Sequence, residues 1–268
     1  MIIQEIAENG IIFALTGAFT GLMSGILGIG GGMIVVPALV FIFHHTHLIA
    51  PAYEMHVAAG SSFAIMIFTA QASVRAHHKK SSILWNIYFQ LAPGIILGAI
   101  SGALTAAVLS THWLKIILGV VLFFIGIKML FNLQVTEARQ FPPRWIDRLI
   151  SFIIGFKSGL LGIGGGAVIV PYLSYCGIDP RKIPAVSAIC TLTVSIIGTI
   201  AFIYTGYHRP GLPADTTGFL YWPAIICIAI PSMLFAPLGA SLTYILPRTQ
   251  LKYGFVLILF FASISLIF

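Results

Sequence analysis

The sequence predicts an all-α integral membrane protein made of two tandem homologous repeats, and three observations carry that prediction. Hydrophobic residues make up 59% of the 268 positions and charged residues only 8%, whereas a soluble domain carries about 25% charged residues. Mean hydropathy is +1.03, and apolar runs of membrane-spanning length recur from end to end, leaving no soluble domain over. Finally, "SGILGIGGGMIVVPAL" (Ser24–Leu39) is echoed by "SGLLGIGGGAVIVPYL" (Ser158–Leu173). The runs are long and lack period-2 alternation. They read as helices and not as barrel strands, because lipid offers the backbone no hydrogen-bond partner.

The echo continues in the same order. "PGIILGAISGALT" (Pro93–Thr105) matches "PSMLFAPLGASLT" (Pro231–Thr243), and "WLKIILGVVLFF" (Trp113–Phe124) matches "QLKYGFVLILFF" (Gln250–Phe261). "AAGSS" (Ala58–Ser62) aligns loosely with "AICTL" (Ala188–Leu192). The repeats are therefore residues 1–135 and 136–268, joined through the polar stretch Gln134–Arg148. Each holds four apolar segments: Ile11–Phe43, Val57–Val74, Ile87–Leu109 and Leu114–Phe131, then Leu149–Cys176, Ile183–Tyr204, Phe219–Leu246 and Leu251–Phe268. The apolar run at the N-terminus has neither a basic n-region nor a small-residue cleavage site, so it reads as a retained segment.

The leading segment of each repeat is unusual. As one helix, Ile11–Phe43 would be about 50 Å long, where a span needs about 20 residues. Four glycines sit near its middle, and each disfavours helix by about 1 kcal/mol. The segment is expected to break there, at a GIGGG motif, and its counterpart likewise. If the broken segments crossed the bilayer, the loop Lys and Arg residues would divide eight against five between the two faces. If they return as hairpins, Lys115 and Arg209 fall on one face and eleven on the other, which suits the positive-inside rule far better. Each half then crosses an odd number of times and the repeats are inverted, a transporter architecture.

A broken helix exposes amides and carbonyls that persist in a membrane only inside protein or beside a wet cavity. A half-helix N-terminus carries partial positive charge and free N–H groups, and so accepts an anion without a basic side chain. The candidate binding glycines are Gly28, Gly30, Gly31 and Gly32 in the first repeat and Gly162, Gly164, Gly165 and Gly166 in the second. Gly17, Gly21, Gly25, Gly98 and Gly102 are read instead as helix-packing residues. No Lys-Ser/Thr follows the glycines and the spacing is not G-x-G-x-x-G, so a nucleotide loop is excluded.

The motif "SGxLGIGGGxxxVPxL", present twice and accompanied by "AAGSS", resembles the TauE/SafE family of membrane proteins over nearly the whole chain. The resemblance implies inner-membrane permeation, chiefly export, of small sulfur-containing anions such as sulfite or organosulfonates, with no enzymatic step. The chain departs from the family pattern at "AICTL" and at Lys157, a position normally apolar.

The remaining polar residues sharpen the reading. All seven acidic residues, Glu5, Glu8, Glu54, Glu137, Asp147, Asp179 and Asp215, are assigned to termini or loops. That leaves no mid-span carboxylate for a cation cage or proton relay and suits an anion pathway. Lys157 is a candidate anion ligand, with snorkelling to a helix end as its alternative. Ser24 and Ser158 correspond across the repeats, as do Ser61 and Thr191, and their hydroxyls complete the candidate site. The histidines of "HHTH" (His44–His47) and "RAHHKK" (Arg75–Lys80) are assigned to polar loops and lack acidic or thiol partners, so no metal site and no cofactor are expected. Trp85, Trp113, Trp145 and Trp222 form an interfacial belt, and Cys176, Cys190 and Cys227 are read as free, buried thiols.

The net charge of +7 is scattered over short loops, which argues against nucleic acid. The function expected is a secondary transporter of a small anion in the cytoplasmic membrane. Its partners are the anion, the bilayer and, where copies associate, further copies of itself. The alternative is a membrane-embedded enzyme acting on a lipid-linked or small substrate. It requires a carboxylate or histidine pair that the spans do not offer.

Overall fold

Why these residues form helices is settled by solvent: an apolar backbone in lipid must satisfy its own polar groups. The computed structural model describes residues 2–27, 31–80, 83–131, 142–179, 182–207, 209–242 and 248–267. They form α1 (Ile2–Leu27), α2 (Gly32–Thr46), α3 (Glu54–Lys80), α4 (Trp85–Val108) and α5 (Thr111–Leu130), then α6 (Arg144–Leu161), α7 (Gly166–Tyr175), α8 (Ile183–Gly206), α9 (Trp222–Leu242) and α10 (Arg248–Ile267). Among the described residues, five helical stretches are long and apolar enough to cross a membrane: Glu54–Arg75, Trp85–Val108, Thr111–Leu130, Ile183–Gly206 and Trp222–Gly239. Asn9–Gly25, Gly32–Thr46 and Tyr253–Ile267 are shorter apolar helices. The protein is thus an all-α, multi-pass membrane protein. The junction between residues 135 and 136 lies outside the described residues, as does most of the stretch read as a linker.

Several boundaries differ from the sequence expectation. α1 begins at Ile2 and so takes in Glu5 and Glu8. α3 runs on to Lys80, so Arg75–Lys80 is helical and not a loop, and His44–Thr46 closes α2. A two-stranded hairpin, β1 (Thr216–Thr217) paired antiparallel with β2 (Leu220–Tyr221), precedes α9. The four tryptophans do occupy helix starts, with Trp85, Trp113 and Trp145 between 44% and 68% exposed and Trp222 at 38%.

The principal interfaces join one half of the chain to the other: α1 with α9, α4 with α6, α3 with α8 and α5 with α10. Two of these seams are built on glycine. A Cβ on Gly17 would lie 2.5 Å from the Ile228 carbonyl oxygen, and one on Gly21 would strike the Ser232 carbonyl. Gly98 and Gly102 face the backbone of Phe152 and Phe156 on α6, while Gly155 and Gly159 face Ile95 and Ala99 on α4. Helices in lipid gain little from hydrophobic association, so close backbone approach through small residues supplies the packing.

The α3–α8 pair forms the centre and is antiparallel. Gly60 sits against Phe202, Phe63 against Gly198, and Met66 comes level with Thr191, both beside Gly164. At one end the β-hairpin is wedged over this pair. The Phe219 N–H bonds to the Phe202 carbonyl at 3.2 Å, and the Tyr221 N–H bonds to Ser61 Oγ at 3.0 Å. Phe219, Leu220 and Tyr221 are all buried. At that same end Arg209 Nη2 lies 3.4 Å from the Ala107 carbonyl oxygen.

Two carboxylates assigned to loops are instead buried in the first turn of a helix. Glu54 opens α3 at 1% exposure and pairs with Lys115 at 2.6 Å and His44 at 3.3 Å. Asp147, in the first turn of α6, is fully buried; its Oδ1 accepts a hydrogen bond from the Tyr172 hydroxyl, and its Oδ2 has no partner among the described residues. The Tyr172 contact brings the last turns of α7 back to the level of the start of α6.

The glycine seams predict a contrast that thermal unfolding in detergent can read. Gly98→Val should lower stability by about 1–3 kcal/mol or more, because the added atoms meet backbone, which cannot move aside as a side chain can. Gly254, whose Cβ position is open, should tolerate Gly254→Ala or gain up to about 1 kcal/mol of helix propensity. Equal melting of Gly98→Val and wild type would mean that the α4–α6 seam is not this close.

Candidate functional site

The site is built where helices stop. α6 ends at Leu161 and Gly162 caps it in the left-handed region, with φ 72° and ψ 18°, its N–H bonded to the Ser158 carbonyl at 3.1 Å. Glycine is required there twice over: for the positive φ, and because a Cβ would come within 2.5 Å of Ala59 Cα. Ser62 of α3 donates its hydroxyl to the Gly162 carbonyl at 3.0 Å, fastening the loop to the central helix. Gly164 and Gly165 follow, and α7 begins at Gly166 with Gly165 as its N-cap. Val168 and Ile169 N–H both bond back to the Gly165 carbonyl. In the first half α2 begins at Gly32 with Gly31 as N-cap, and Ile34 and Val35 N–H bond to the Gly31 carbonyl in the same pattern.

The first helix start meets the loop that leads into the second. A Cβ on Gly32 would lie 3.0 Å from the Gly162 carbonyl oxygen and 3.1 Å from the Gly164 nitrogen, and Met66 sulfur fills the space beside both Gly32 and Gly164. The positive end of α2 therefore lies against the loop before α7 at one buried spot. Gly31, Gly32 and Gly162 through Gly166 are all buried. Gly28 and Gly30, also expected at the site, lie outside the described residues.

Beside the meeting point is a small hollow of about 30 Å³ lined by Ser24, Thr69, Ala70, Ser73, Ser187, Ala188 and Thr191. A single water needs about 10–15 Å³ of such volume, so the hollow holds one or two waters and no larger anion in this conformation. Its polar lining is hydroxyl, contributed by α1, α3 and α8. Thr191 also packs its methyl against Gly164, which makes it the bridge between hollow and loop.

Not all expected residues gather here. Ser24 and Thr191 come together in the hollow, and Gly32, Gly162 and Gly164 meet next to it. Ser61 is buried but spends its oxygen on the Tyr221 N–H, towards the hairpin end. Ser158 is fully buried with an unpartnered hydroxyl among the described residues, and does not line the hollow. Lys157 does not line it either. Its ammonium is buried without a hydrogen-bond partner among the described residues, and the nearby charged group is Lys128 of α5. Thr69, Ser73 and Ser187 were not singled out from the sequence. The usable signal was helical spacing: Ser62, Thr69 and Ser73 fall on one face of α3, and Ser187, Thr191 and Ser195 on one face of α8.

Comparison with known proteins identifies the family. The sequence model of the family described as "Sulfite exporter TauE/SafE" matches residues 13–266. A "Probable membrane transporter protein" of Haemophilus influenzae is 33% identical over 253 residues, covering 94% of this chain and 96% of that one. A similarly named protein of Methanocaldococcus jannaschii is 27% identical, covering 86% of this chain and 85% of its own length. No solved structure matches the chain. With the match running through both helix breaks and to within two residues of the C-terminus, the chain belongs to the sulfite exporter TauE/SafE family.

Proposed function

We propose that the protein is a secondary transporter, working as an exporter, of a small oxyanion, with sulfite or an organosulfur anion as its substrate. The observation that carries this reading is the α2 N-terminus at Gly32 set against the Gly162–Gly164 loop that leads into α7, beside a hollow whose polar lining is hydroxyl. Amides at a helix start, serine and threonine hydroxyls, and the absence of any carboxylate among the lining residues together favour a negative solute. The transporter names of the relatives fit the same reading.

The two halves act as inverted repeats in this proposal. Exchanging α1–α5 for α6–α10 turns the α1–α9 pair into α6–α4 and returns α3–α8 and α5–α10 to themselves, and all of these pairs are in contact. The pairs that map onto themselves run antiparallel, with α3 against α8 as described and Gly119 of α5 beside Ile267 of α10 while Gly126 meets Phe260. An axis in the membrane plane requires that direction. The antiparallel run of α3 and α8 supports a re-entrant second segment, since the two would be parallel if that segment crossed. The basic residues then crowd the Asp147 end, which the positive-inside rule makes cytoplasmic in an inner membrane. Ser24 and Thr191 hold the anion, and the glycine amides complete its shell. The membrane potential, negative inside, drives a monovalent anion outward with about 2.3 kcal/mol per 100 mV. Because the hollow is too small for the anion, transport requires α1, α3 and α8 to part.

Flux of radiolabelled sulfite in proteoliposomes, with and without an imposed potential, tests the assignment. Expected is sulfite movement above empty vesicles that accelerates when the potential favours exit; flux equal to empty vesicles for sulfite and every organosulfonate tried would remove the substrate assignment. In the same assay Thr191→Val and Ser24→Ala should each slow transport about fivefold to thirtyfold, the equivalent of losing about 1–2 kcal/mol of hydrogen bonding, with unfolding temperatures little changed. Gly165→Leu should abolish transport by filling the loop before α7, while the protein still folds, since its Cβ meets only the movable tip of Ile169, Cδ1 at 2.8 Å. Full activity in a folded Gly165→Leu protein would place the anion elsewhere.

A further inference from the structure

A second cavity lies away from the central site. It is a groove of about 700 Å³ at the hairpin end of α8, between that helix and the end of α4. Its floor and walls are Ile200, Ile203 and Tyr204, on the last two turns of a membrane-spanning helix. Ile200 and Tyr204 are 63% and 80% exposed. At its mouth are Thr205 and Arg209. Arg209 is exposed, and Nη2 donates to the Ala107 carbonyl in the last turn of α4, whose final carbonyls lack helical partners. That bond fixes the guanidinium at the rim. One of five N–H donors is used by it.

We propose that this groove is a binding site for one phospholipid, its phosphodiester on Arg209 and one acyl chain along Ile200, Ile203 and Tyr204. Three features select that occupant. The groove runs from membrane depth to the helix end, as a lipid does from chain to headgroup. It offers a planar donor fork suited to phosphate oxygens. It also lies at an end where the other described Lys or Arg, Lys115 near the start of α5, is occupied by Glu54 at 2.6 Å, so Arg209 is the Lys or Arg there left to meet an anionic headgroup. A small inorganic oxyanion would use only a fraction of 700 Å³ and none of the apolar wall. A tyrosine flank with a basic rim is also the composition expected at a membrane–water boundary.

Native mass spectrometry of the full chain from mild detergent tests the site, together with thermal unfolding in the presence of added phosphatidylglycerol, diacylglycerol or inorganic phosphate. Expected is one phospholipid retained per wild-type chain, with retention at least about fivefold lower in Arg209→Gln. Phosphatidylglycerol should raise the unfolding temperature of wild type but not of Arg209→Gln. Diacylglycerol, which has the chains without the phosphate, and inorganic phosphate should do neither. Tyr204→Ala leaves the Arg209–Ala107 bond intact and should weaken retention without disturbing the helix ends, so the proposal stays testable if Arg209→Gln does not fold. Equal retention in wild type and both variants would overturn the site. So would stabilisation by diacylglycerol equal to that by phosphatidylglycerol, or stabilisation by inorganic phosphate alone. A wild-type mass of two chains that Tyr204→Ala reduces to one would assign the groove to a second copy of the protein and also overturn the proposal.

Discussion

Everything in this structure answers to one constraint: hydrocarbon gives the peptide group nothing to bond to. An unbroken helix meets the constraint alone. A helix that stops at Leu161 or restarts at Gly32 does not, and must be enclosed by other helices. Enclosure at short range needs small residues, and the seams of Gly17 and Gly21 against α9, and of Gly98, Gly102, Gly155 and Gly159 between α4 and α6, provide it. These glycines let four helices close tightly enough that two helix ends can survive in the middle of the bundle. Packing and candidate chemistry are then parts of one arrangement, because the walls that shelter the free amides are the walls that would admit or exclude a solute.

Much of this was legible because lipid simplifies the code. Long apolar runs can only be helices, so nearly every span followed from hydropathy alone. The packing role of Gly17, Gly21, Gly98 and Gly102 was readable from their four-residue spacing, which puts them on one helix face. The meeting of Ser24 with Thr191 could be suspected because each corresponds to a hydroxyl in the other half. What stayed hidden depends on distant partners. Asp147 reads as a loop residue because nothing nearby explains its burial; the explanation is Tyr172, 25 residues later. The hairpin is invisible because its two-residue strands have no pattern of their own and are held by Phe202 and Ser61. Ser61 itself carries a hydroxyl that sequence cannot apportion between a ligand and a backbone amide.

The two buried carboxylates show how differently similar placements resolve. Glu54 is matched by the ammonium of Lys115, so burial leaves the pair close to neutral and fastens the ends of α2, α3 and α5 together. Asp147 has a hydroxyl donor and no cation among the described residues, with one oxygen unpartnered. This buried carboxyl sits where α7 returns to the start of α6. One carboxylate thus ties three helices through an ion pair, and the other ties α7 to α6 through a hydroxyl.

The hairpin belongs to the second half only; among the described residues the loop between α3 and α4 has no strand. Two matching halves would have equivalent ends, and this wedge removes the equivalence. Opening its side means drawing Phe219 away from Phe202 and surrendering the Tyr221 amide bond to Ser61, whereas the described residues at the opposite end form no such hairpin. The two ends therefore differ in the contacts that must break for each to open, and the difference lies in the six residues Thr216–Tyr221.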